Sequence, residues 1–284
     1  MSEAEAYTLA YSPCPNDTYI FAALTNGLLA GEPRVDVALA DIEALNDSAM
    51  RGEYALTKVS YGAIPYLMDR YRILRSGGAL GRGCGPLVVA RAVGTRRLEA
   101  LRGKRIAIPG DRTTAFLLLR LAMRDIGASD FTPVEMRFDR VIPAVAAGEV
   151  DAGLIIHESR FTYRDAGLES ILDLGEWWES QTGLPIPLGA ILVRNDVDDA
   201  RAHTIDRAIR RSLTFARAHE DAIMGYVRAH ALEMDATVMR KHIALYVNEF
   251  SEDIGEAGVD AVRRLFARAG AAGIFEASTE PRFV

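Results

Sequence analysis

A short apolar run, Leu154-Ile155-Ile156, stops abruptly at His157-Glu158-Ser159-Arg160. An imidazole, a carboxylate, a hydroxyl and a guanidinium thus follow directly on a segment with the character of a buried strand. In open α/β sheets, ligands bind beyond the carboxyl ends of strands. A histidine there is suited to proton transfer near neutral pH. The same residues would equally serve as a structural ion-pair cluster closing a strand, and the heptapeptide alone does not separate the two uses. It is not the zinc signature His-Glu-x-x-His, because Phe161 stands where the second histidine would fall.

A second chemical segment is Pro109-Gly110-Asp111-Arg112-Thr113-Thr114, which follows Ile106-Ala107-Ile108 and opens an apolar helix. Free backbone N–H groups at a helix start hold carboxylates or phosphates, and two threonine hydroxyls add donors. Ordinary N-capping uses the same residues. The Gly-Lys-Ser/Thr signature of a P-loop is missing, which argues against nucleotide hydrolysis. Lys58 and Ser60 flank the end of another apolar run, and Asn16, Asp17 and Thr18 close the stiff loop Ser12-Pro13-Cys14-Pro15. Each offers turn, cap or edge chemistry on the bland reading, and substrate contact on the sharper one.

Gly81-Arg82-Gly83-Cys84-Gly85-Pro86 has the wrong spacing and position for a dinucleotide fingerprint. Closely approaching backbone or a tight hinge accounts for its glycines, and Cys84 reads as an inert thiol. Trp177-Trp178 either covers an aromatic ligand or seals a lobe. Leu184 and Pro185 are expected on an apolar cleft rim. His203, His219, His230 and His242 show no metal-ligand spacing and are expected to be packed or solvated.

The elements that must position these residues alternate. Strands are expected at Tyr7 to Tyr11, Val35 to Leu39 and Leu56 to Val59, with helices over Thr18 to Leu29 and Asp41 to Arg51. Two apolar runs, Pro86 to Ala90 and Ala190 to Val193, bracket a smaller unit. That unit holds strands Arg105 to Ile108, Val134 to Phe138 and Ala152 to Ile156, with helices Thr114 to Ile126 and Val141 to Ala147. The pattern predicts an α/β fold in two lobes: residues 1–89, an inserted lobe over 90–191, and a return over 192–284. Two crossing strands join the lobes, and the tail is helical, since Ile205, Ile209, Leu213 and Ala216 keep helix spacing.

The chain of 284 residues is 49% hydrophobic and 25% charged, with a net charge of −6. Nothing in this balance favours nucleic acid or an anionic membrane surface. The start lacks a basic segment and a long apolar stretch, and only Cys14 and Cys84 are present. The cytoplasm is therefore the expected compartment. The oligomeric state, monomer or homodimer, stays open.

Together these segments resemble the 1,4-dihydroxy-6-naphthoate synthases of the futalosine route to menaquinone. The resemblance rests on Ser12-Pro-Cys-Pro-Asn-Asp-Thr18, Lys58-Val-Ser60, Gly110-Asp-Arg-Thr-Thr114 and Gly153-Leu-Ile-Ile-His-Glu-Ser-Arg160. Thr182-Gly-Leu-Pro-Ile-Pro-Leu-Gly189 and His242-Ile-Ala-Leu-Tyr-Val-Asn248 extend it across nearly the whole chain. It implies a fold like a type II periplasmic binding protein, without export. The implied reaction cleaves cyclic dehypoxanthinyl futalosine to 1,4-dihydroxy-6-naphthoate and a sugar-derived fragment, with no metal or other cofactor. His157 matches the family's base, and Thr113-Thr114 its carboxylate site. Asn16, Asp17, Thr18, Lys58, Ser60, Ile156, Leu184 and Pro185 are the further expected contacts with this aromatic carboxylate. A non-catalytic small-molecule binding protein and a chorismate dehydratase of similar shape are the competing expectations.

Overall fold

The computed structural model describes residues 7–92, 97–231, 235–276 and 280–284. The chain begins with β1 (Tyr7–Tyr11), α1 (Pro15–Thr25), β2 (Val35–Leu39), α2 (Ile42–Arg51), β3 (Leu56–Ser60), β4 (Tyr71–Ile73) and β5 (Ala79–Gly81). A second series follows: β6 (Leu87–Arg91), β7 (Arg105–Ile108), α3 (Thr114–Asp125), β8 (Thr132–Glu135), α4 (Phe138–Ala147), β9 (Ala152–Ile155), α5 (Ser159–Thr162) and β10 (Leu168–Asp173). Then α6 (Leu174–Thr182) leads into β11 (Ile186–Arg194), and helices α7 (Asp199–Ala218), α8 (Glu220–His230), α9 (Ala236–Tyr246), α10 (Glu249–Glu252) and α11 (Gly255–Ala271) complete the fold.

Two sheets result. The first runs β2-β1-β3-β11-β4, with β5 also paired to β11; β1 is parallel to β2 and β3, and β11 is antiparallel to its neighbours. The second runs β10-β6-β9-β7-β8. The chain passes between them through residues 82–86 and returns through 174–185, so the apolar runs of β6 and β11 are the strands these crossings lead into. Helices α1, α7 and α8 pack on the first sheet through Phe21, Ile209, Leu213 and Val227, all buried. Helix α4 covers the second sheet through Val141 and Val145. A third cluster ties the sheets together and contains α3, Tyr61 and Trp178.

Local differences from the sequence reading have physical causes. Helix α1 begins at Pro15 rather than Thr18, with proline in the first turn, where its missing N–H costs nothing. It ends at Thr25, not Leu29. Strand β8 runs from Thr132 to Glu135 because Pro133 is tolerated on the sheet edge. The three-residue strands β4 and β5 and the strand β10 were invisible to periodicity. Trp177 and Trp178 lie within helix α6, and Trp178 is fully buried, its Nε1 donating to the Pro185 carbonyl at 3.0 Å. It seals the molecule and is out of reach of a ligand.

The two crossings abut backbone to backbone. A Cβ at Gly85 would stand 2.1 Å from the Gly175 nitrogen, and one at Gly175 would stand 2.8 Å from the Gly85 nitrogen. Close approach therefore accounts for this glycine, as the spacing suggested. Gly85→Ala should lower stability by about 1–3 kcal/mol through forced separation of the crossings. A thermal melt of the variant within 1 °C of wild type would contradict the contact.

Candidate active site

The carboxyl ends of β1 and β3 and the end of β9 open on a shared cleft of about 630 Å³, counted to its mouth. From the first sheet come Ser12, Asn16 and Asp17 after β1, and Lys58 and Ser60 on β3. Lys58 and Ser60 are two apart on a strand, so both side chains point to the same face. From the second sheet come Thr113, Thr114 and Ala115 at the start of α3, and Ile156 and His157 beyond β9. His242 and Tyr246, one turn apart on α9, supply a further wall.

Asp17 anchors the polar side. Its carboxylate is 1% exposed and accepts from the Ser12 hydroxyl at 2.7 Å, from Asn16 Nδ2 at 2.8 Å and from the Lys58 ammonium. Burying such a pair is costly, and only complete hydrogen bonding makes it tolerable. Asp17 is the one acceptor Lys58 finds among the described residues, so further ammonium protons remain for a bound oxygen. Ser60 is held from behind: its N–H donates to Asn46 Oδ1 at 2.8 Å, and its hydroxyl accepts from Asn46 Nδ2 at 3.2 Å. The hydroxyl proton meets no acceptor among the described residues.

His157 sits at φ = +57°, the one non-glycine residue in the left-handed region among the described residues. Such a backbone is uncommon, and histidine adopts it more readily than branched residues. It turns the chain out of β9 and into the Arg160-to-His157 backbone hydrogen bond of 3.3 Å that begins α5. Its half-buried ring has Nδ1 3.6 Å from Cys14 Sγ, the edge of Phe138 at 5.1 Å, and His242 nearly parallel at 6.5 Å. Loss of solvation lowers its pKa to about 4; Asp17 and Asp41 oppose that shift and Lys58 reinforces it. The imidazole is therefore neutral through the physiological range. Nε2 has no hydrogen-bond partner among the described residues.

The neighbours of His157 divide the work. Arg160 donates to the Gly85 carbonyl at 2.6 Å and to Asp173 at 2.5 Å, fixing the turn to the lobe crossings. Glu158 makes no hydrogen bond to His157. Its Oε2 is buried without a partner among the described residues, burial raises its pKa, and with Arg137 and Asp41 it lines a second, adjoining cavity. Burial also pushes the Cys14 thiol far above the ordinary thiol range and that of Cys84 to about 12, so both stay protonated.

At the start of α3 both threonine hydroxyls are spent inside the protein. Thr113 caps the helix, accepting from Phe116 N–H at 3.2 Å and donating to Gly110 at 2.8 Å. Thr114 donates to the Leu188 carbonyl at 2.6 Å and accepts from Gly62 N–H at 3.1 Å. The N–H groups of Thr114 and Ala115 find no acceptor among the described residues, which leaves two unused donors at this helix start. Thr18, by contrast, is fully buried and donates to the Cys14 and Pro15 carbonyls. Leu184 and Pro185 do not line the cleft; Leu188 and Gly189, further along β11, do. Asn16 lines it, but its amide is committed to Asp17 and His242. The sequence reading missed His242 and Tyr246: the spacing of four was visible, yet a histidine on an amphipathic helix looks the same whether it packs or lines a site. Among the described residues no group of three His, Cys, Asp or Glu side chains could hold a metal ion, and no helix is long and apolar enough to cross a membrane.

Two α/β sheets joined by two crossings, with a ligand-sized cleft between them, define the class of periplasmic-binding-protein-like folds. The alkanesulfonate-binding protein of Xanthomonas axonopodis pv. citri matches at a TM-score of 0.72 and 14% identity, covering 96% of this chain and 95% of that one. An Archaeoglobus fulgidus protein solved by X-ray crystallography matches at a TM-score of 0.88 and 39% identity, covering 95% and 98%. More particularly, the sequence family described as Menaquinone biosynthesis matches residues 7–271, and the chain belongs to it. The 1,4-dihydroxy-6-naphthoate synthase of Thermus thermophilus is 52% identical over 280 residues, covering 99% of this chain and 100% of its own. That of Streptomyces coelicolor is 48% identical over 278 residues, covering 96% of each.

The Thr114 bridge gives a direct test of this arrangement. Thr114→Val strands the Gly62 N–H, while the Leu188 carbonyl keeps the Tyr61 N–H at 3.2 Å, and should cost about 1–3 kcal/mol in denaturant unfolding. An unchanged midpoint would show that the hydroxyl does not join the two segments.

Proposed function

We propose that this protein cleaves cyclic dehypoxanthinyl futalosine to 1,4-dihydroxy-6-naphthoate and a sugar-derived fragment, with His157 as general base. The observation that carries the reading is a neutral imidazole with an unengaged Nε2 at the end of β9, in a chain that matches two 1,4-dihydroxy-6-naphthoate synthases over its whole length. The base role requires the tautomer with the proton on Nδ1, directed at Cys14 Sγ. His157 then takes the proton whose loss starts cleavage of the sugar–ring junction, and the electrons released aromatise the new ring. Oxygen gaining negative charge is met by the Lys58 ammonium and the Ser60 hydroxyl, both already held in place. The aromatic carboxylate lies at the start of α3, on the N–H groups of Thr114 and Ala115, where the helix dipole favours an anion.

The lobes proposed for this reaction are residues 1–89 with 192–284, and 90–191. Support comes from strands β6 to β10, which pair only with one another among the described residues. The proposed compartment is the cytoplasm, where Cys14 and Cys84 persist as the free thiols they are here.

Incubation with the cyclic substrate, followed by mass identification of the naphthoate product, tests the reading; chorismate in parallel excludes the dehydratase. His157→Asn should lower kcat by roughly 10²–10⁴-fold in a well-folded variant, and near-native turnover would remove His157 from the base role. The pH profile follows from the sign of the shift. A base whose pKa falls from 6.5 to about 4 stays active until the pH drops through the lower value. The acid limb of kcat/KM should therefore lie near pH 4, and a limb centred at 6.5 or above would contradict the desolvated base.

A further inference from the structure

His242 is 1% exposed on α9 and lines the cleft near His157, yet the chemistry above leaves it idle. Its Nε2 lies 2.9 Å from Asn16 Oδ1, while Nδ2 of the same amide donates to Asp17 at 2.8 Å. An ionised carboxylate only accepts, so Asp17 settles which way the Asn16 amide faces. Asn16 Oδ1 is then an acceptor, and His242 must carry its proton on Nε2. Burial, with His157 and Lys58 nearby, lowers the pKa of His242 to about 3, which keeps the ring neutral. A bare lone pair is left on Nδ1. That atom is buried and meets no donor among the described residues. A buried acceptor of this kind bears a desolvation cost that nothing in the protein offsets.

We infer that Nδ1 of His242 accepts a hydrogen bond from a substrate hydroxyl, which makes His242 a specificity-determining and positioning residue of this cleft. The inference rests on the function proposed above and deepens it. Selection works by exclusion. A carboxylate, ketone or ether oxygen would bring its own lone pair against Nδ1, whereas an O–H satisfies it. The sugar-derived part of the substrate carries the hydroxyls, and the aromatic part carries the carboxylate. The sugar is therefore turned toward α9 and the carboxylate toward the start of α3. The His157 ring is neighbour to that of His242, inclined by 22° with centroids 6.5 Å apart, so a hydroxyl held by His242 lies near the proposed base.

Two conservative variants separate this role from a merely structural one. In His242→Asn the amide oxygen stands where Nδ1 stood, but the donor to Asn16 is lost. In His242→Gln the amide nitrogen replaces Nε2, but the Nδ1 acceptor is lost. Affinity for the cyclic substrate is measured by calorimetry in a His157→Asn background, beside 2-naphthoate, which has the carboxylate and no hydroxyl. His242→Gln should weaken the cyclic substrate by about 10- to 100-fold, and His242→Asn by about threefold at most. Both should leave 2-naphthoate within about threefold. Any result in which asparagine fares no better than glutamine overturns the inference, as does an equal loss for 2-naphthoate. The parent function fails separately, if the wild-type protein forms no naphthoate product.

Discussion

The Asp17 carboxylate, buried and saturated with hydrogen bonds, is the constraint on which the cleft depends. Removed from water, it is tolerable only with Ser12, Asn16 and Lys58 in place. Each of those partners carries a consequence outward. Lys58 is held forward on β3. Asn16 is locked in one orientation, which decides where His242 carries its proton. The negative charge also offsets part of the desolvation of His157, which sits on the other sheet. Burial keeps both imidazoles neutral, and the ion pair acts on top of it: its two charges oppose one another at His157, and its Asn16 partner fixes the tautomer of His242.

The second organising feature is the loop before α3. Glu43 on α2 accepts from the Arg112 N–H at 3.0 Å and from Asn46 at 2.8 Å, while Asn46 holds Ser60. Arg112 also reaches Asp47 at 2.9 Å. A continuous polar chain therefore links the start of α3 on one sheet to Ser60 on the other. Gly62 permits the approach: a Cβ there would stand 2.7 Å from the Arg112 carbonyl oxygen. The spacing between the start of α3 and Ser60 is fixed by protein hydrogen bonds before any ligand arrives, which is preorganisation in the physical sense.

Strong local signals were legible in the sequence. The apolar runs of β1, β3, β7 and β9, the helices after them, and the polar residues at their carboxyl ends follow from periodicity and from the rule that ligands bind beyond strand ends. What escaped depends on contacts distant in the chain. The use of both threonine hydroxyls is decided by Gly62 and Leu188, and the importance of His242 by Asn16, 226 residues away. Leu184 and Pro185 were placed on the rim because proline-rich segments suit a rim; where β11 faces the cleft depends on its pairing with β3 and β5, which no local pattern reveals. Trp178 is a sealing residue, one of the two uses that the sequence left open for the tryptophan pair.

The backbone contact between Gly85 and Gly175 has a mechanical corollary. With no side chains to slide over one another, the two crossings behave as one pivot rather than two. Arg160 clamps the His157 turn to Gly85 and Asp173 at that pivot. Any separation of the sheets would thus move the imidazole through a short arc. The α3 helix start would instead have to break free of Gly62 and Leu188. Entry and exit of ligand would then be governed by the α3 wall, with the imidazole staying close to the axis.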